Sequence, residues 1–92
     1  MERTEYLGRI KAYAMAKAAG NTHDLERVKV QWRNRKDAAP IPCYPLKYQL
    51  GYDLSDPDGK PIHTAVLLDC KANCLYDVPL DAVEERERDN GG

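Results

Sequence analysis

The sequence has little of what usually announces a function. It holds no phosphate-binding loop, no dinucleotide fingerprint and no paired-carboxylate motif, so three common routes to catalysis are missing from it. It has no long apolar run either. The first twenty residues carry Glu2, Arg3, Glu5, Arg9, Lys11 and Lys17, which excludes the apolar core of a signal peptide and a membrane span there; the expected location is the cytoplasm, with no membrane partner. Cysteine is scarce. Three of them, an odd number, fit a reducing compartment with free or metal-bound thiols better than a disulfide framework. An excess of one charge is lacking as well: residues 1–71 hold 12 basic and 9 acidic side chains, and residues 72–92 hold 2 and 6. Neither imbalance is large enough to imply nucleic acid by itself.

What is present is an ordinary globular composition, 42% apolar and 32% charged over 92 residues. A chain of this length makes one domain and buries only about 60–65% of the surface its unfolded form exposes, so the core is small. Leu7, Ile10, Ala14 and Ala18 recur at helical spacing, flanked by Tyr6 and Tyr13, with Thr4 to cap the start and Gly20 to end it; this predicts a helix over 4–19. From Glu26 to Arg35 the apolar residues Val28, Val30 and Trp32 fall on even positions and basic ones on odd, which favours a strand with one apolar and one basic face over a helix.

Pro40, Pro42 and Pro45 mark a connecting loop and the rim of the next strand. Beyond them Tyr44, Leu46, Tyr48, Leu50, Tyr52 and Leu54 alternate with polar or small residues, the turn formers of 55–61 follow, and Ile62, Thr64, Val66, Leu68 and Cys70 resume the even pattern. Two strands in a hairpin are expected, paired so that Leu54 faces Ile62, Leu50 faces Val66 and Leu46 faces Cys70. That register keeps the even faces together and sets Lys47 against Asp69 and Asp53 against His63 outside. Ala72-Asn73 suits a tight turn, since asparagine tolerates positive φ, and a short strand over 74–78 stops at Pro79. The predicted fold is α+β: an N-terminal helix packed on an antiparallel sheet of about four strands, with curling toward a small barrel as one form. It forms a single domain over 1–83, and an acidic tail occupies 84–92.

Three groups of residues carry candidate chemistry. In the expected register Cys43 lies beside the turn that holds Cys70 and Cys74, which brings three thiols to one end of the sheet. Zinc wants four ligands, and His23, in the loop after the helix, is the in-chain fourth; His63 is excluded by distance and face. The competing reading is three small buried hydrophobes. Arg27, Lys29, Arg33 and Arg35, followed by Lys36, form the basic strand face, which suits phosphate or carboxylate groups of a nucleic acid or an acidic protein, or is a solvated face that guards the sheet against aggregation. The stripe Tyr44, Tyr48 and Tyr52 is core unless the helix covers another part of the sheet, in which case it is an exposed docking patch.

The segment HTAVLLDCKANCLYDVPLDAV, His63–Val83, together with the single-domain economy, resembles the small accessory proteins carried by phages and integrated elements of bacteria. That class includes inhibitors of host defence, the anti-CRISPR proteins among them, which act by occupying a surface of a nuclease effector. The resemblance implies a non-catalytic binder with a protein partner and assigns no residue a role. The leading expectation is therefore a small protein-binding module that inhibits or modulates a partner and is not an enzyme. Direct nucleic-acid binding through the basic strand and a zinc-stabilised interaction module are the alternatives.

Overall fold

A computed structural model describes residues 1–86. Helix α1 spans Arg3–Ala18, a one-and-a-half-turn helix α2 spans Thr22–Arg27, and five strands follow: β1 Val30–Trp32, β2 Ile41–Tyr52, β3 Pro61–Asp69, β4 Leu75–Pro79 and β5 Val83–Glu85. A single 3-10 turn, Leu80–Ala82, links the last two. The strands form one antiparallel sheet in the order β4-β3-β2-β1-β5. The fold is α+β, as the periodicity implies, with one strand more than expected. The sheet is open. It nevertheless curls, because Trp32 on β1 and Tyr76 on β4 meet with ring centroids 5.0 Å apart although two strands separate them.

Helix α1 starts one residue before its predicted bound and ends where glycine lets it. Gly20 adopts φ +69, Asn21 N–H reaches back to Ala16 O and Gly20 N–H to Lys17 O, which together make the αL stop of a Schellman motif. The start differs from expectation, since Glu2 rather than Thr4 stands at the N-cap and offers no side-chain bond. The buried stripe also differs. Tyr6, Tyr13 and Ala16 face inward with Ile10 beside them, whereas Leu7, Ala14 and Ala18 are exposed. Tyr6 is fully buried and its hydroxyl donates to Val66 O at 2.8 Å and Lys47 O at 3.2 Å. That pair of bonds rotates the helix toward its tyrosines.

Residues 26–35 are not one strand. Asn21 caps α2 by accepting from Asp24 N–H, and the helix runs to Arg27 before a turn at Val28 hands over to the three residues of β1. The hairpin register is different as well. Tyr52 pairs with Pro61, Leu50 with His63 and Tyr48 with Ala65; then the ladder slips at Leu46, and Pro45 pairs with Leu67 and Cys43 with Asp69. The Lys47–Asp69 and Asp53–His63 pairs therefore do not form. The slip is a β-bulge, and Pro45 sits beside it, buried inside a central strand. A bulge is one of the few interior places that tolerates a residue with no N–H to give.

The core is built on odd positions of β3, and of β2 up to the bulge, rather than on the expected even ones. On β3 the buried residues are Ala65, Leu67 and Asp69, all odd, and they gather with Tyr6, Val30, Cys43, Val78, Leu80 and Val83. Asn73 takes φ +54 in the turn between β3 and β4, as its side chain allows. Glu84 and Glu85 belong to β5, paired with Gln31 and Val30, so the expected tail from residue 84 is part of the sheet at its start. Residues 87–92 lie outside the described residues.

Candidate protein-binding arm

The β2–β3 hairpin is longer than its neighbours can cover. Strand β1 pairs with β2 only over Ile41–Cys43, and β4 pairs with β3 only from Thr64 onward. Beyond these limits the hairpin continues as a two-stranded ribbon through Tyr52 and Pro61 to a loop over 53–60. The loop is tied by its own aspartates: Asp53 accepts from Ser55 N–H at 2.9 Å, and Asp56 from Asp58 N–H at 2.9 Å. The Ser55 hydroxyl, and after it the Ser55 N–H, hold the Asp53 carboxyl below its usual range by donating to it. The ribbon projects from a molecule whose extents are 45 × 30 × 23 Å.

The arm carries apolar side chains into solvent. Leu50 is 60% exposed, Tyr52 69% and Leu54 98%. Leu50 and Tyr52 share a face with Tyr48, because all three are two apart on β2 beyond the bulge. At the foot of that face Tyr48 is sandwiched: the Arg3 guanidinium lies 5.0 Å from its ring centroid, and the His63 ring stacks on it at 5.4 Å with Nδ1 hydrogen-bonded to the Tyr48 hydroxyl. Along the arm this face therefore runs from a cation, through aromatic and aliphatic side chains, to a loop bearing Asp53, Asp56 and Asp58 against Lys60 alone. The tyrosine stripe divides accordingly. Tyr44 packs against Tyr13 at 5.2 Å and Tyr48 packs against the core from the foot of the arm, whereas Tyr52 stands out on the arm itself.

The basic residues are scattered rather than aligned. Arg27 ends α2 and pairs with Asp24 at 3.9 Å, Lys29 pairs with Glu26 at 2.6 Å and lies 5.5 Å from the Tyr44 ring, and Arg33 joins Glu84 at 3.0 Å and Ala38 O at 2.9 Å. Only Arg35 and Lys36 stand exposed in the turn after β1 with no ion pair among the described residues. A common strand face needs a strand through 27–35, and the intervening helix removes it.

The three cysteines do lie at one end of the sheet. Cys43 faces Asp69 across the ladder, Cys70 N–H donates to Pro42 O, and Cys74 O accepts from Asp69 N–H. Their thiols diverge. Cys43 is buried in the core, and burial pushes its thiol up to about 12. Cys70, one residue past Asp69, points to the opposite face beside Tyr44, and burial raises it too; Cys74 is exposed. His23 is exposed on α2. Among the described residues no three His, Cys, Asp or Glu side chains are grouped to hold a metal ion.

A concavity of about 790 Å³ runs between α1, α2 and β5. Gly8, Ala12, Met15 and Ala19 line it, with Arg9 and Arg27 at its sides. Arg9 is committed to Glu85 at 2.7 Å and to Arg27 O at 3.1 Å, so it serves to fasten α1 to β5 and the end of α2. Compared with protein-family models, with curated proteins and with solved structures, the chain has no match.

Sequence reasoning placed Leu50 and Leu54 in the core because their parity matched Tyr48 and Tyr52. An exposed docking patch is the alternative reading of the Tyr44, Tyr48 and Tyr52 stripe, but that parity does not yield an arm. The signal that marks it is the length of the two alternating runs, about ten residues each, against the shorter strands on either side, since a hairpin that outruns its neighbours must leave the sheet.

Proposed function

We propose that this chain is a small non-catalytic protein-binding module whose contact element is the exposed face of the β2–β3 arm. The observation that carries the proposal is the pair Leu50 and Tyr52, held in solvent on one face of a ribbon that no strand flanks among the described residues, with Leu54 exposed in the loop beyond them. Burying a side chain of this size stabilises by about 1.5–3 kcal/mol when complete. A fold with a core this small gains nothing by leaving three of them outside unless another surface covers them. Tyrosine with an aliphatic neighbour is also the composition of interface centres, where a rigid ring contributes area at low entropic cost. An inhibitor or modulator, the activity that the resemblance of His63–Val83 implies, is the form this reading takes when the covered protein is a different one.

The test uses the arm itself. With a photo-crosslinking amino acid in place of Tyr52, irradiation in the native cell yields a protein adduct of defined mass, and the same residue at Arg35 yields none. If position 52 gives no adduct above the Arg35 background, the arm is not a protein contact and the proposal is wrong.

A further inference from the structure

We infer that the protein met by the arm is a second copy of this chain, the two arms lying face to face and antiparallel about a two-fold axis. The inference rests on the reading of the arm as a protein contact and goes further by naming the partner. Its ground is the order of side chains along one face. Arg3 lies over Tyr48 at the foot, Leu50 is at the middle, Tyr52 is beyond it, and three aspartates stand at the tip.

A face whose two ends carry opposite charge and whose middle is apolar is complementary to itself under a two-fold rotation, which is what an isologous interface requires. With the axis at Leu50, the two leucines meet, Tyr52 of each arm comes up to the edge of the other's Tyr48 ring between its Arg3 and His63, and each aspartate loop reaches the other copy's Arg3. Glu2, the acidic neighbour of Arg3, is also exposed, but the cation is the group held against the face. A parallel arrangement would stack aspartate loop on aspartate loop and is rejected by like charge. Among the described residues β1 pairs with β2 only up to Cys43 and β4 with β3 only from Thr64, so no strand flanks the ribbon from Leu50 to Tyr52. From Tyr48 to Tyr52 it spans about 13 Å at about 3.3 Å per residue, which makes a small interface. The dissociation constant belongs in the micromolar range, below the strength of a standard-sized interface.

The experiment is sedimentation equilibrium of the purified full chain from about 1 to 300 µM, in low and high salt. The expected result is a monomer–dimer equilibrium with a micromolar constant, weakened several-fold by salt because the end contacts are ionic. Tyr52→Asp and Leu54→Ser raise the constant by at least tenfold while leaving the thermal midpoint of the dilute monomer unchanged, since both side chains are exposed there. Arg3→Glu and Asp58→Arg each weaken dimerisation, and the double variant regains affinity that either alone has lost. A monomer at every concentration overturns the inference, as does a dimer indifferent to the arm variants or a charge swap without rescue. The crosslinking experiment separates this failure from that of the broader reading: an adduct of twice the chain mass supports self-pairing, an adduct with a heavier, different protein leaves the arm a protein contact but removes the second copy, and no adduct removes both.

Discussion

Replacing Tyr6 by phenylalanine deletes one oxygen and keeps the ring. The ring is fully buried among Val30, Cys43, Ala65 and Val83, and the oxygen donates one proton to two backbone carbonyls, Val66 O and Lys47 O, where the β2–β3 ladder changes register. Burial pushes the phenol well above the ordinary tyrosine range, so it remains a donor at any pH the fold survives. Removing the donor leaves buried carbonyl oxygens short of a partner at a cost of about 1–3 kcal/mol, with no cavity to add. Taking about 2 kcal/mol and a urea slope of about 1 kcal/mol per molar, the unfolding midpoint falls by about 2 M. The thermal midpoint falls by about 8–16 °C at about 4–8 °C per kcal/mol for a domain of this size. Tyr13→Phe is the control, because its ring is also buried but its hydroxyl makes no hydrogen bond among the described residues; the expected change is within about 0.5 kcal/mol. If Tyr6→Phe matched that control, the hydroxyl would not be what fastens the helix to the bulge, and the account of why α1 turns its tyrosines inward would be wrong.

Three more outcomes are expected. Asp69 accepts from Lys71 N–H at 2.8 Å, Tyr76 O–H at 2.9 Å and Ala72 N–H at 3.2 Å, and the first of these contributes most to holding its carboxyl below the usual range, against some opposition from burial. A carboxyl lowered by folding contributes stability above its unfolded value of about 3.9 and loses it as the pH falls through the lower folded value, so urea midpoints measured from pH 6 down to pH 3 should drop at the acid end, and less steeply in Asp69→Asn. Asn73→Ala should cost about 1–2 kcal/mol in a denaturant titration, because φ +54 is left-handed, and Asn73→Gly should stay within about 0.5 kcal/mol of the wild type. A thiol reagent at pH 8 should label exposed Cys74 fast, Cys70 slower and Cys43 only on unfolding; three fast thiols would show that the thiol end of the sheet is open.

Much of the architecture was legible because it rests on local periodicity. The helix bounds, the glycine stop at Gly20, the two long strands and the left-handed Asn73 all follow from residue types a few positions apart. The core face was not legible, and Leu46 shows why. A bulge there shifts the phase of β2, so Cys43 and Pro45 before it share a face with Tyr48 after it. No reader of alternation alone can see a shift that the sequence marks only by an unusual proline. The basic segment misled for another reason. Val28, Val30 and Trp32 alternate across a junction, yet the cap at Asn21 and the Asp24–Arg27 pair support a helix through the first part of it. The placement of the cysteines at one end survived the wrong register because both registers close at the same turn. Their divergence did not follow from the sequence, since it depends on which parity faces inward.

The bulge at Leu46 also governs what a one-residue loss in β2 would do to the arm. Residues before it are held in phase by Val30 and Leu67; just after it Lys47 and Tyr48 are still held by Tyr6 and the core, and among the described residues only from Leu50 onward does β2 pair with a β3 that no further strand backs. Loss of Leu46 would let Pro45 and Lys47 follow each other in one phase opposite Leu67 and Val66, which they already face, so Leu50 and Tyr52 would keep their place and the interior would be untouched. A deletion of one codon there thus removes the irregularity without changing the exposed face, which ties the direction of the arm to its pairing with β3 rather than to the length of β2.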